Sequence, residues 1–164
     1  MLSKFSGAGL LLLAALVTTP AFAQGDQVQS KLTAAQVVDL DGKTVASSAE
    51  KAHPGDVVEY KAVYSNRGAG GVAHLLATIP VPPGTTYVAG SAKPAAGVQA
   101  SADGVHFAPM PLMHTVAGAD GKPEQKPLPL SDYRAVQWQV AALAAHADVT
   151  TSLRVRLNAP VNVK

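Results

Sequence analysis

After residue 30, short runs of alternating apolar and polar residues recur along the chain, separated by turn-forming clusters. The best-framed run lies between Pro54-Gly55-Asp56 and Asn66-Arg67-Gly68. Its even positions Val58, Tyr60, Ala62 and Tyr64 are apolar or aromatic, and Glu59 and Lys61 stand between them. Successive side chains of a strand point to opposite faces, so the run predicts a strand with one buried and one wet face. The same period returns in Val136, Trp138 and Val140, which alternate with Gln137 and Gln139. It is sustained longest over residues 149–157. There Val149, Thr151, Leu153, Val155 and Leu157 face one way, while Thr150, Ser152, Arg154 and Arg156 face the other. Arginines on that outer face also discourage edge-to-edge association.

Weaker runs fill the rest. Residues 31–38 read as a modest strand, and Asp41-Gly42 after it is a hairpin signal. Residues 46–53 read as a linker. Residues 72–79 form a strand with Ala73, Leu75, Ala77 and Ile79 inward and His74 and Thr78 outward. Pro80-Val81-Pro82-Pro83-Gly84 stops it, because proline lacks the donor a ladder needs. A short run follows over residues 85–88, then a hairpin around Asp103-Gly104. Residues 108–132 hold Pro109, Pro111, Pro123, Pro127 and Pro129 and read as an irregular insertion, with a hairpin signal at Asp120-Gly121. Long irregular connections in a compact domain are places where function concentrates. The alanine-rich residues 141–147 are too short for a helix between two strands. About seven or eight short strands, with turns every ~8–12 residues, predict an all-β antiparallel sandwich.

The first residues follow a different pattern. Lys4 precedes an apolar run over residues 7–17, and Ala21-Phe22-Ala23 is a small-x-small cleavage site. Residues 1–23 therefore read as a cleavable signal peptide, with the exported chain starting at Gln24. Residues 24–30 read as a flexible leader, 31–158 as the β domain and 159–164 as a C-terminal tail. The expected address is the periplasm or the exterior, with no transmembrane segment in the mature chain. Cysteine is absent. That excludes disulfides, thiolate metal sites, a cysteine nucleophile and a lipidated N-terminal cysteine. The formal net charge is +2, with basic and acidic residues interspersed, which gives no electrostatic case for a nucleic-acid partner.

Three motifs in order resemble the conserved-repeat β-sandwich domain of bacterial envelope and surface proteins, a domain of unknown function related to immunoglobulin-like folds. They are Pro54-Gly55-Asp56 through Asn66-Arg67-Gly68, Thr78-Ile79-Pro80 through Gly84-Thr85-Thr86-Tyr87-Val88, and Trp138-Gln139-Val140-Ala141-Ala142-Leu143 with the strand after it. The resemblance covers roughly residues 30 to 158. Thr78 stands where the family usually has an acid, and Ala145-His146 where it usually has a second Pro-Gly turn. Residues 108–132 look like an insertion. The resemblance implies an immunoglobulin-like sandwich in an envelope setting, as a structural or adhesive module, and supplies no catalytic residues. The family's tandem repetition is not found within this sequence.

Candidate chemistry is sparse. His106, Met110, Met113 and His114 lie in or beside the Pro-rich segment. Imidazole and thioether are copper ligands in an oxidising compartment. The competing reading makes the two methionines soft apolar fillers at the sandwich edge and leaves the histidines in solvent. His53, His74 and His146 read as surface or turn residues. There is no Gly-x-Ser-x-Gly elbow, and Glu59 is the one acid centred on a strand. Tyr60, Tyr64 and Trp138 fall at core parity and read as packing residues. Asp56 and Asn66 read as side chains that satisfy turn backbone. The expectation is an exported, non-enzymatic module without a cofactor, whose partner is an envelope or surface protein met through residues 108–132 or an open edge strand. The alternative is a periplasmic copper-binding protein that uses the Met/His set.

Overall fold

The computed structural model describes residues 27–40 and 43–159. The signal-peptide reading, the start of the leader, the Asp41-Gly42 turn and most of the tail lie outside the described residues. Eleven strands follow one another: β1 (Val28–Leu40), β2 (Lys43–Ser48), β3 (Val57–Asn66), β4 (Val72–Pro80), β5 (Thr85–Tyr87), β6 (Val98–Ser101), β7 (Ala108–Pro109), β8 (Met113–Ala117), β9 (Pro123–Pro127), β10 (Ala135–Leu143) and β11 (Asp148–Leu157). The described residues are all-β, and every strand pairing among them is antiparallel. No helix among the described residues is long and apolar enough to cross a membrane.

One five-stranded sheet runs in the order β2-β1-β3-β11-β5, and a four-stranded sheet in the order β4-β10-β6-β7. They share one apolar cluster. Val58, Ala62, Tyr64, Leu153 and Val155 enter it from the first sheet, and Ala77, Ile79, Ala100, Val136 and Trp138 from the second. The period-2 pattern creates this arrangement. In register, Val58 lies opposite Val155 and Tyr60 opposite Leu153, so the even positions of β3 meet the odd positions of β11 on one face. The Tyr64 hydroxyl crosses to the other sheet and donates to the Thr78 carbonyl at 2.9 Å. Burial pushes its pKa up. On the outer face Arg154 stands directly opposite Glu59 and bonds it at 3.2 Å.

Turn side chains close the ends. Gly55 takes φ 94°, a conformation that costs glycine no Cβ clash. Beside it, Asp56 Oδ2 accepts from the His53 amide at 2.8 Å and from Gln36 Nε2 at 2.7 Å. Asn66 is fully buried and bonds four backbone groups at the far end of β3.

The structure corrects several expectations. Strand β1 already begins at Val28, so part of the expected leader is sheet. Residues 46–53 are not a linker: β2 runs through Ser48 and a 3-10 turn spans Ala49–Lys51. Ala73 is exposed: the alternation of β4 breaks at Ala73 and His74, both exposed, where His74 takes φ 54°. Residues 108–132 are not irregular. They hold β7, the β8–β9 hairpin and a 3-10 turn over Leu130–Asp132.

Candidate functional site: an apolar cleft at the root of a hairpin arm

Strands β8 and β9 pair only with each other, from Met113 opposite Pro127 to Ala117 opposite Pro123. All five residues of β9 are exposed, and β8 alternates exposed and half-buried positions. The arm is fastened at its root. The Leu128 amide donates to the Leu112 carbonyl at 2.7 Å, and the Leu112 amide donates to the Tyr133 hydroxyl at 2.8 Å. Leu112 is buried in the core cluster, with Met110, Leu128 and Leu130 packed against it.

Beside this root opens an apolar cleft of about 380 Å³, lined by Tyr87, Tyr133, Met110, Pro111, Val98 and Leu130 among others. Strand β5 brings Tyr87, the last residue of the five-stranded sheet's short edge. The 3-10 turn after the arm leads into Tyr133. The two rings stack with centroids 5.6 Å apart and planes 5° off parallel, the offset arrangement that aromatic quadrupoles favour. The Tyr87 hydroxyl is buried beside Ser91 and Ala92 without a well-formed hydrogen bond, and burial pushes its pKa up. The cleft thus offers an apolar wall, with the Tyr87 hydroxyl buried and the Tyr133 hydroxyl engaged by the Leu112 amide. Apart from the two tyrosines, no lining residue is ionisable. Such a surface receives an apolar side chain or ring; it holds no acid–base pair.

The Met/His set is divided by the fold. Met110 packs on the core and lines the cleft. Met113 and His114 are consecutive on β8 and so point to opposite faces of the hairpin. Met113 is 51% exposed. His106 belongs to the turn before β7, where its Nδ1 lies 2.6 Å from Asp103 Oδ2. No group of three or more histidine, aspartate or glutamate side chains gathers around a point among the described residues. His53, His74 and His146 are exposed, the latter two with φ of 54° and 57°.

The His106 turn has its own electrostatics. Asp103 Oδ1 accepts from the Val105 and His106 amides and from the Ser101 hydroxyl, each at 2.8 Å. These bonds and the His106 ring hold the carboxyl well below its usual range. The carboxylate in turn raises the His106 pKa, through its hydrogen bond and then its charge. The signs for pH follow. The His106 contribution is fully present below the unfolded pKa and is lost as pH rises through the raised folded value. The Asp103 contribution is present above the ordinary carboxylate range and is lost as pH falls through its depressed value. An NMR titration of His106 is expected to show a midpoint above the ordinary imidazole value of about 6.5. Asp103→Asn should return it towards that value, and an unchanged midpoint would break the assignment.

Reading from sequence did not single out the cleft. Tyr87 carried a strand signal and Tyr133 carried none, and only folding stacks them. Compared with known proteins, the chain matches no family model, no curated protein and no solved structure.

Proposed function

We propose that this chain is an exported, non-enzymatic, immunoglobulin-like β-sandwich module that binds another component of the bacterial envelope. The contact is made by the β8–β9 arm and the cleft at its root. One observation carries the reading: the arm is a regular ribbon that builds none of the core, yet its root is bolted to the core through Leu112, Leu128 and Tyr133. An isolated two-stranded hairpin is marginal in water, so an ordered arm held at a fixed angle is a means of presentation. The cleft beside it supplies a pocket for an apolar anchor, the type of contact that dominates interface energies. The envelope address rests on the signal-peptide pattern of residues 1–23.

The test replaces residues 113–127 with a short Gly-Ser linker. Unfolding of the armless chain is expected to stay within about 0.5 kcal/mol of the parent, as for surface changes. Chemical crosslinking in intact cells should lose the partner band seen with the parent. An armless chain that still captures the same partner would place the contact elsewhere. A parent chain that captures nothing in the envelope would end the binding-module reading.

A further inference from the structure

The first half of β1 has a neighbour on one side only. Strand β1 pairs with β3 from Val28 to Val37, but with β2 only from Ala35 to Leu40. Residues 28–34 therefore present a free ladder on the β2 side among the described residues. At about 3.3 Å per residue the free edge is roughly 20 Å long. Natural sheets blunt such edges with charged side chains, above all lysine, and with proline, bulges or shortness; the edges at β4, β5 and β7 use the last three. Strand β4 carries His74 at φ 54° and ends in Pro80, and its Thr78 carbonyl is occupied by Tyr64. Strands β5 and β7 are three and two residues long. Residues 28–34 contain no proline, no glycine and no residue with positive φ; their one charged side chain is Lys31, which opposes a like or cationic strand but not an anionic one.

The side chains along this edge say what would fit. Leu32 lies opposite Ala62, on the face that carries the core, but it is 48% exposed. On the other face Lys31 and Lys61 are both exposed; Lys61 stands opposite Thr33, one step along from Lys31. A second copy of this chain meets a penalty. The two-fold antiparallel pairing with the greatest overlap sets Lys31 against its own symmetry copy, and like charges directly opposite destabilise a ladder. We infer that residues 28–34 take an extended segment of a different protein as an added strand, with an apolar side chain beside Leu32 and a carboxylate opposite Lys31. Main-chain hydrogen bonds supply affinity in this mode, and the alternating side chains supply selectivity. The inference rests on the reading of the chain as a binding module and adds a second contact, separate from the arm.

The test uses the full chain as cells deliver it. Two capped ten-residue peptides of alternating valine and threonine serve as probes, one with a central glutamate and one with a central lysine. Binding is followed by fluorescence anisotropy and by amide hydrogen exchange. The glutamate peptide should bind about five- to tenfold more tightly than the lysine peptide, the size expected when one cross-strand charge contact changes sign. It should protect amides within residues 28–34. Lys31→Glu should reverse the preference, and Leu32→Lys should weaken both peptides. The armless chain should bind as the parent does, which separates failure at this edge from failure of the arm. Equal affinity of both peptides for the parent, or protection confined to β2 or the arm, would overturn the assignment. So would protection, without peptide, of the alternate amides of residues 28–34 that point away from β3. If that protection is lost on dilution, the occupant is a second copy; if it is independent of concentration, the occupant is the chain's own terminal segment.

Discussion

Asn66→Ala is expected to cost the domain about 3 kcal/mol, because one side chain closes three pieces of backbone and the replacement closes none. Asn66 Oδ1 accepts from the Gly68 amide at 3.0 Å. Its Nδ2 donates to the carbonyls of Gly70, Leu143 and Ala144 at 2.8, 3.2 and 3.0 Å. An amide nitrogen has two hydrogens, so one of them is shared between carbonyls. These groups belong to the end of β3, the turn that follows it and the end of β10, so the residue ties the two sheets together at one end of the core. Alanine would leave the buried Leu143 carbonyl and three part-buried groups, the Gly68 amide and the Gly70 and Ala144 carbonyls, without their partner; an unmatched group costs about 1–3 kcal/mol when no water reaches it. Asn66→Asp retains the acceptor for Gly68 but turns a carboxylate towards three carbonyls. It should cost at least as much at neutral pH and recover part of the loss as the carboxyl is protonated. Urea unfolding followed by the fluorescence of the single tryptophan measures both variants. A loss below about 1 kcal/mol in the alanine variant would mean that solvent has replaced the amide at this junction.

Asn66 was legible before folding because its role is local at one end: it stands at the close of an alternating strand, two residues before a glycine. The strands that build the core were legible for a related reason. Val58, Ala62 and Tyr64 on β3 and Thr151, Leu153 and Val155 on β11 are buried at every second position, and burial on one face leaves a period of two. Strand β2 has no such face. Val45, Ala46, Ser47 and Ser48 are all exposed, so backbone pairing with β1 holds the strand and no hydrophobic alternation marks it. The β8–β9 arm was marked only by its turn: the hairpin signal at Asp120-Gly121 lies between the two strands, but neither strand carries a buried face. Its prolines, at first sight breakers, stand at the two ends of β9, an edge strand where a missing donor is tolerated. The cleft escaped because it is tertiary. Tyr87 and Tyr133 come from distant segments, and nothing in either neighbourhood announces the other. The Met/His set shows the converse error. His106, Met110, Met113 and His114 are close in sequence, but a turn, a core contact and the alternation of β8 send them in different directions.

Trp138 joins the core to the cleft, and its substitutions should separate the two roles. Trp138→Ala is expected to cost about 3–5 kcal/mol, the range for removing a large buried aromatic side chain. The indole is 2% exposed in the cluster shared by both sheets. Its neighbour in register on β4 is Ala77, a small residue that leaves room for the large one. On the other side it stands opposite Val98, which also lines the cleft. Its Nε1 donates to the Pro94 carbonyl at 2.7 Å, so the indole holds the connection between β5 and β6 from beneath. That connection supplies Ala89, Gly90, Ala92 and Ala95 to the cleft wall. Trp138→Phe keeps a ring in the core but strands the Pro94 carbonyl, and should cost about 1–2 kcal/mol globally. Its larger effect should be local, as faster amide exchange in residues 88–97 and weaker capture of the proposed envelope partner. Circular dichroism must follow the unfolding, since both variants lose the only tryptophan. Exchange in residues 88–97 that stays at the parent rate in Trp138→Phe would show that the paired backbone bonds between Lys93 and Ser152, at 2.8 and 2.9 Å, hold the connection without the indole. Faster exchange with full partner capture would move the binding surface off the cleft and onto the arm alone.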